Sequence, residues 1–374
     1  MKFNTETKTF SAVATAALSY SQKAAFYITT GMISIETGDN VVTLRTTNNK
    51  TNFLCTVPAD IVEPGRVFVS TEKLAGILSN ISAENVSVEN VNSKLYIKPL
   101  EGRKTKVSLA CREAVDFPPE KVCADDKYVS VPGEAIANAL THVMFFTAKS
   151  AVGPRATFSG VNVEQISKDG KVYLTFTATD GRALATETVE IGSEIPELTK
   201  AILPLEVINK MLPLLRREGS KIAFYDGSVF IENGVLKVNG LLLSSNYPNW
   251  RRVLPQIDGV DVKVNGAELA ETLGLTSVLV EEKSRKTALE FFGDKIVVHS
   301  SSPELGEAEQ EIDAQSSLTQ EFKANLSEQL LNPIIATLKN TDINIKVFPD
   351  TVLPLLFTAE SIPNLTYCIM PMQS

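Results

Sequence analysis

Apolar and polar positions alternate with short period over much of this chain, and a longer helical period interrupts that alternation at regular intervals. In one instance the strand-like Arg66-Val67-Phe68-Val69-Ser70 leads into a helical stretch, Thr71–Ile81, with short strands at Val86–Val88 and Leu95–Ile97. The same order recurs as Ala201-Ile202-Leu203, helix Pro204–Leu215, strands Lys221–Tyr225 and Ser228–Ile231. It recurs again as Glu321-Phe322-Lys323, helix Asn325–Leu338, strands Ile343–Phe348 and Val352–Phe357. An earlier helical segment precedes each copy, at 9–22, 133–148 and 266–280. The repeat is about one third of the chain, a domain-sized unit. The pattern therefore predicts an α+β protein of three tandem domains, 1–125, 126–255 and 256–374, each with two helices packed on antiparallel sheet. The boundaries fall at the polar stretch near 124–127 and after Pro255. Hairpin turns are expected at Asn-Gly 233–234, 239–240 and 265–266, and at Asp-Gly 169–170, 180–181 and 226–227.

Helix phase refines this picture. At 100° per residue Phe10, Val13, Ala14 and Ala17 form one apolar stripe, with Lys8, Thr15, Ser19, Gln22 and Lys23 opposite. Ile136, Leu140 and Val143 form a second, with Lys149 opposite, and Leu205, Ile208, Leu212 and Leu215 a third, with Lys210 and Arg217 opposite. A lysine opposite a core stripe ordinarily marks a solvated face; its recurrence in copies of one fold points to a shared basic surface. Pro213 and Pro333 fall inside predicted helices and should end or kink them.

Composition narrows the function. Hydrophobic residues make up 44% and charged residues 21% of the chain, an ordinary globular balance. The longest charge-free runs, 9–22, 135–148 and 361–374, are shorter than the ~18 residues of a membrane span, and the start Met1-Lys2-Phe3-Asn4-Thr5-Glu6 carries no apolar leader, so a cytoplasmic protein is expected. Cys55, Cys111, Cys123 and Cys368 are scattered, as suits free thiols in a reducing compartment. With His142 and His299 the only histidines, a three-histidine metal site or a Cys/His zinc finger is excluded, and no phosphate-loop, dinucleotide or zinc-protease motif is present. No cofactor and no metal are expected. The net charge of −8 argues against a conventional nucleic-acid binder, but is silent on basic residues segregated to one face.

Three motifs remain. Thr179-Asp180-Gly181-Arg182-Ala183-Leu184-Ala185 alone is strand, turn and strand. Tyr247-Pro248-Asn249-Trp250-Arg251-Arg252-Val253-Leu254-Pro255 alone is a connection with an extended entry before proline. Tyr367-Cys368-Ile369-Met370-Pro371-Met372 alone is a final buried strand. In this order, in a chain of three repeats, they resemble the bacterial sliding clamps, the β subunits of DNA polymerase III. Met1-Lys2-Phe3, Glu63-Pro64-Gly65 and Asp116-Phe117-Pro118 extend the resemblance over the whole chain.

The resemblance implies a non-catalytic homodimeric ring of six domains whose helices line a basic channel for duplex DNA. Sequence-independent sliding needs weak, exchangeable Lys and Arg contacts to phosphate. The channel candidates are Lys8, Lys23, Lys149, Arg155, Lys210, Arg217 and Lys339. It also implies a pocket in which polymerase and clamp loader insert short linear motifs, comprising Phe158, Thr179, Gly181, Arg182, Leu184, Pro248, Arg252, Val253, Val352, Ile369, Met370, Pro371 and Met372. Methionine and aliphatic walls suit a site shared by differing apolar anchors. Ala183 stands where the family usually has a basic residue, Glu328 and Ser284 near usually aromatic positions, and Gln373-Ser374 where a basic residue and a leucine are usual. The implied dimer contact sets Ile77 and an edge strand with Lys104, Lys106, Val107 and Leu109 against Val278, Leu279, Glu304 and Glu307, basic against acidic. Two other readings use the same residues: an enzyme built on Asp180 with His142 or His299, which no spacing supports, and a structural protein of tandem domains without DNA.

Overall fold

The structure, a computed structural model, describes residues 1–22, 28–102, 105–113, 115, 117–149, 153–281, 285–348 and 352–372. Lys23, Lys104, Asp116, Ser284, Gln373 and Ser374 of the sequence reading lie outside the described residues. By contacts the chain forms two compact units. One comprises 1–137, 192–198 and 206–242, the other 138–191, 199–205 and 243–374.

Each unit is built on one antiparallel sheet. In the first, the strand Leu236–Leu241 pairs with Thr51–Pro58, placing Val238 opposite Phe53, so that strands from two repeats form one 13-stranded sheet. In the second, Ala183–Ile191 pairs with Leu365–Ile369, placing Leu184 opposite Cys368, within a 12-stranded sheet. Period-two burial, as in Thr51–Pro58 and Phe322–Ser327, puts one face of each strand into a core. The six helices are α1 (Thr7–Ala17), α2 (Thr71–Leu78), α3 (Gly133–Val143), α4 (Leu205–Leu215), α5 (Gly266–Thr276) and α6 (Glu328–Leu338). The repeat is explicit in their flanks. α1, α3 and α5 each run on into a 3-10 turn, at Leu18–Tyr20, Met144–Phe146 and Ser277–Leu279. α2, α4 and α6 each follow directly on a strand, Arg66–Ser70, Lys200–Pro204 and Phe322–Ser327.

Within a repeat the start of the earlier helix is pressed against the end of the later one. At Gly266 a Cβ would lie 2.4 Å from the Thr341 carbonyl, and at Gly133 only 2.1 Å from that of Leu215. This close approach explains Gly266, whose Asn-Gly pair is not a hairpin turn. Asn265 instead caps α5, its Oδ1 accepting from the Ala267 and Glu268 N–H groups at 3.0 and 3.1 Å. Asn239-Gly240 is not a turn either: it lies inside the strand Leu236–Leu241, and a Cβ on Gly240 would meet Val207 at 2.5 Å. Asn-Gly 233–234 and the Asp-Gly pairs 169–170 and 226–227 do turn hairpins, with positive φ at Gly234 and at both residues of each Asp-Gly pair.

Three further expectations are corrected. The buried face of α4 is Val207, Ile208, Met211, Leu214 and Leu215, with Leu205 and Leu212 only half-buried, because Gly240 lets Val207 sink onto the sheet. α4 and α6 continue through Pro213 and Pro333, since the residues that follow, Leu214, Leu215, Ile334 and Ile335, are buried and hold the last turns down. The edge strand expected from 104 begins at Val107 and runs to Arg112; its last residues pair with Arg66–Ser70, Val69 opposite Cys111, so it is enclosed at that end. No helix among the described residues is long and apolar enough to cross a membrane.

Candidate functional site

A pocket of about 230 Å³ opens in the second unit where three segments meet. The segment Thr179–Leu184 is held by its own side chains. Asp180 Oδ1 accepts from the Arg182 and Ala183 N–H groups at 2.8 and 2.9 Å, and Thr179 Oγ1 accepts from Gly181 N–H at 3.0 Å while donating to the Ala183 carbonyl at 2.6 Å. Gly181 sits at φ +92°, a conformation that favours glycine. Asp180 is therefore an Asx-turn residue, its carboxylate bound to backbone.

The second segment is the short turn Trp250–Val253. Trp250, 7% exposed, packs with Leu184 and Cys368 into a small core that Tyr247, Leu254 and Leu356 border. Arg251 lies 4.3 Å above the indole and pairs with Glu164 at 2.7 Å, pinning the turn to the sheet. Tyr247 meets Phe158 edge-on at 6.0 Å. The third segment is the tail: Met370 N–H donates to the Arg182 carbonyl at 2.9 Å, continuing the pairing of Leu365–Ile369. Burial pushes the Cys368 thiol up to about 12 and raises the Tyr247 phenol, so both stay protonated at neutral pH. The walls are largely apolar, an arrangement that binds apolar side chains, and the buried Trp250 indole N–H among them has no hydrogen-bond partner among the described residues.

Of the expected pocket residues, Phe158, Thr179, Gly181, Arg182, Leu184, Pro248, Val253 and Met370 line this cavity. Ala183, noted in the sequence as a departure from the family pattern, lines it too, as do Asn249, Trp250 and Cys368, which were not anticipated. Ile369 does not: it is fully buried in the strand beneath. Arg252 is exposed outside the lining, and Arg251 is the arginine engaged in this turn. Val352, Pro371 and Met372 line a second cavity, of about 890 Å³, and Met370 borders both. Glu328 is buried at the start of α6, ion-paired with Arg285 at 3.6 Å.

Of the expected channel cations, Lys8 on α1, Lys210 on α4, Arg217, Lys149, Arg155 and Lys339 form no ion pair among the described residues, though Arg216, directly after α4, pairs with Glu134 at 2.9 Å. Sheet lysines such as Lys171 with Glu190 and Lys263 with Asp342 are paired. Lys210 lies 5.6 Å over the ring of Tyr20, whose hydroxyl donates to the Lys210 carbonyl at 2.8 Å; burial pushes that phenol up to about 12 against the opposing effect of Arg217.

Of the expected interface residues, Ile77 is half-buried on α2 and Lys106 lies 4.4 Å over Tyr96. Val107 is half-buried, but Leu109 is 8% exposed and belongs to the core. In the other unit Val278 is 70% exposed, Leu279 half-buried, and Glu304 and Glu307 exposed. Leu275 and Leu305 are exposed apolar residues in the same unit that the sequence reading passed over. The enzyme reading finds no assembly: the Asp180 carboxylate is bound to backbone, and His142 Nδ1 lies 2.7 Å from Glu187 Oε2. Among the described residues no cluster of three His, Cys, Asp or Glu is placed to hold a metal.

Residues 251–373 match the family described as DNA polymerase III beta subunit, C-terminal domain. Over 89% of its length the chain is 24% identical to a beta sliding clamp of Treponema pallidum, covering 89% of that protein. It is 20% identical to the beta sliding clamp of Bacillus subtilis, covering 84% of this chain and 82% of the relative. The fold superposes over the full length of both chains on the DNA polymerase III subunit beta of Pseudomonas aeruginosa, with a TM-score of 0.91 at 19% identity. The same full-length coverage holds for the Caulobacter crescentus beta sliding clamp, at 0.92 and 18%.

Proposed function

We propose a function for a chain that belongs to the family of bacterial DNA polymerase III β subunits: it is a sliding clamp, a non-catalytic homodimeric ring that encircles duplex DNA and tethers polymerase and clamp loader through a peptide-docking pocket. The ring is made of two copies of three tandem domains. Its contact joins the strand Val107–Arg112, with Lys106 and Ile77, to the turn Ser277–Leu279 and the acidic Glu304 and Glu307 of a second copy. These patches differ, so the contact is head to tail and can close. The working place is the cytoplasm, where the chromosome is.

The observation that carries the DNA reading is a set of six cations on or after helices that have no carboxylate partner among the described residues: Lys8, Lys149, Arg155, Lys210, Arg217 and Lys339. In a chain of net charge −8, cations left without carboxylates on or after helices are what a shared basic surface for a polyanion would use. A ring needs only a few weak phosphate contacts, because closure rather than affinity prevents escape. The pocket reading rests on the apolar cavity walled by Phe158, Trp250, Val253 and Met370.

The test replaces Lys8, Lys149 and Lys210 together by glutamate. Loader-dependent deposition on nicked circular DNA should fall severalfold, with dimer mass and peptide affinity unchanged. A triple variant that loads as the wild type does would overturn the channel assignment.

A further inference from the structure

The three Asn-Gly pairs meet different fates in the fold, and the difference bears on their chemistry. Asparagine is a thermolabile residue, and a following glycine has no Cβ to screen its backbone nitrogen. In Asn265-Gly266 both partners are tied down. Asn265 Oδ1 accepts from two helix N–H groups, and Gly266 N–H donates to the Thr341 carbonyl at 3.1 Å. In Asn239-Gly240, Asn239 Oδ1 accepts from Asn52 Nδ2 at 2.7 Å, and Gly240 is paired on both sides, opposite Val229 and Thr51. Asn233-Gly234 is held differently. Gly234 is exposed at φ +59° between the strands Ser228–Asn233 and Leu236–Leu241, and its N–H enters no hydrogen bond among the described residues.

The Asn233 amide meanwhile fastens the chain that leaves α4. Its Nδ2 donates to the Glu218 carbonyl at 2.9 Å and to Ser220 Oγ at 3.1 Å. Ser220 is 1% exposed, and its Oγ lies 2.7 Å from the Leu214 carbonyl and 2.8 Å from that of Arg217. Carbonyls at a helix end have no partner within the helix, so these two side chains cap α4 between them. A Cβ on Gly133 would stand 3.3 Å from the Ser220 Cβ, so the turn is also packed against the start of α3.

We propose that Asn233 is a site of spontaneous deamidation, and that its product releases the turn at 216–220. The Gly234 nitrogen attacks Cγ of the Asn233 amide. A bond forms between Gly234 N and Cγ, and the Cγ–Nδ2 bond breaks. Nδ2 leaves as ammonia, taking the proton that Gly234 N–H gives up. Water then opens the cyclic succinimide to aspartate or isoaspartate, and is the only co-reactant. Either product is a carboxylate with no N–H to donate, so it sets negative charge against the Glu218 carbonyl and leaves Ser220 Oγ without its donor. Isoaspartate also lengthens the backbone by a methylene and breaks the pairing of Asn233 with Leu236. The turn so freed carries Arg217, one of the cations proposed above to face DNA.

The experiment ages the full-length protein in mildly alkaline buffer, beside a sample held unfolded in urea, and follows each Asn-Gly pair by peptide mass spectrometry. In the folded protein the peptide holding Asn233 should gain about one mass unit severalfold faster than those holding Asn239 and Asn265. In urea the three should convert at comparable rates, because only the fold separates them. Conversion of Asn233 no faster than the other two in the folded protein would overturn the assignment. Hydrogen exchange reads the consequence. Asn233→Asp should raise amide exchange over 214–220 severalfold, with the strand Thr51–Pro58 as protected as in wild type. The deamidated fraction of the aged wild type, separated by charge, should show the same change without any substitution. Protection of 214–220 equal to that of fresh wild type in that fraction would overturn the released turn.

Discussion

Replacing Asp180 by alanine separates a structural from a chemical role for the most conspicuous carboxylate of the site. Its Oδ1 holds two backbone N–H groups at 2.8 and 2.9 Å. A hydrogen bond to a charged group contributes about 1.5–3 kcal/mol, but water can replace a lost partner at an exposed donor. Arg182 is exposed and Ala183 is buried, so the two bonds should not count equally. Asp180→Ala should therefore cost about 1–2 kcal/mol of stability, chiefly through the Ala183 N–H left without a partner. The loosened turn carries Gly181, Arg182, Ala183 and Leu184 of the pocket lining, so peptide affinity should fall about threefold to tenfold. Asp180→Asn keeps an acceptor in the same place and should stay within about 0.5 kcal/mol of wild type. Denaturant unfolding and fluorescence anisotropy with an anchored peptide give both quantities. An unchanged Asp180→Ala protein, or an Asp180→Asn protein as impaired as Asp180→Ala, would refute the turn argument; the latter would return a chemical role to the carboxylate.

Met372→Ala should weaken binding of a peptide long enough to cross Met370 by about 1–2 kcal/mol without altering native mass, a difference read by titration. Native mass spectrometry should give twice the 40.7 kDa chain mass for wild type, and Lys106→Glu combined with Val278→Asp should give monomer, both sites being exposed in the free chain. Stability should decline above pH ~8.5. Burial raises the Cys55 and Cys368 thiols to about 11 and about 12, so the unfolded chain ionises first and stability present below ~8.5 is lost as pH rises, by up to ~1.4 kcal/mol per pH unit per thiol. Cys368→Ala should flatten that slope, as followed by denaturant midpoints from pH 7 to 10.

The repeat was legible because its signals are local. Arg66–Ser70 is a short apolar run, with Val67, Phe68 and Val69 all buried, and Thr71–Leu78 changes period at once; the same passage from strand to helix recurs after Lys200–Pro204 and Phe322–Ser327. What escaped was set by contacts distant in sequence. Asn-Gly at 239–240 has the composition of a turn, yet Gly240 is a strand residue because Val207 occupies the space its Cβ would need. Leu212 and Met211 are equally apolar, and only the depth of Val207 decides which of them is buried. The pocket divided the same way. Thr179–Leu184 is a turn that explains itself through its own hydrogen bonds. Cys368 enters the lining because Leu184 pairs with it across the sheet, a register that no local pattern encodes. Ile369, its neighbour, points to the other face for the same reason. Pro371 and Met372 belong with Met370 in the motif, but the tail's bond to Asn325 carries them to the larger cavity, which Val352 from a separate segment also lines.

Encirclement, as opposed to ordinary binding, is tested by cutting the DNA. The protein is loaded on a closed circle, washed in high salt, and followed by co-elution with the plasmid before and after a single restriction cut. Retention by topology should survive salt that screens phosphate contacts, and the cut should release the protein by sliding from the ends. Loss of the protein in salt before the cut, or retention indifferent to the cut, would contradict the ring.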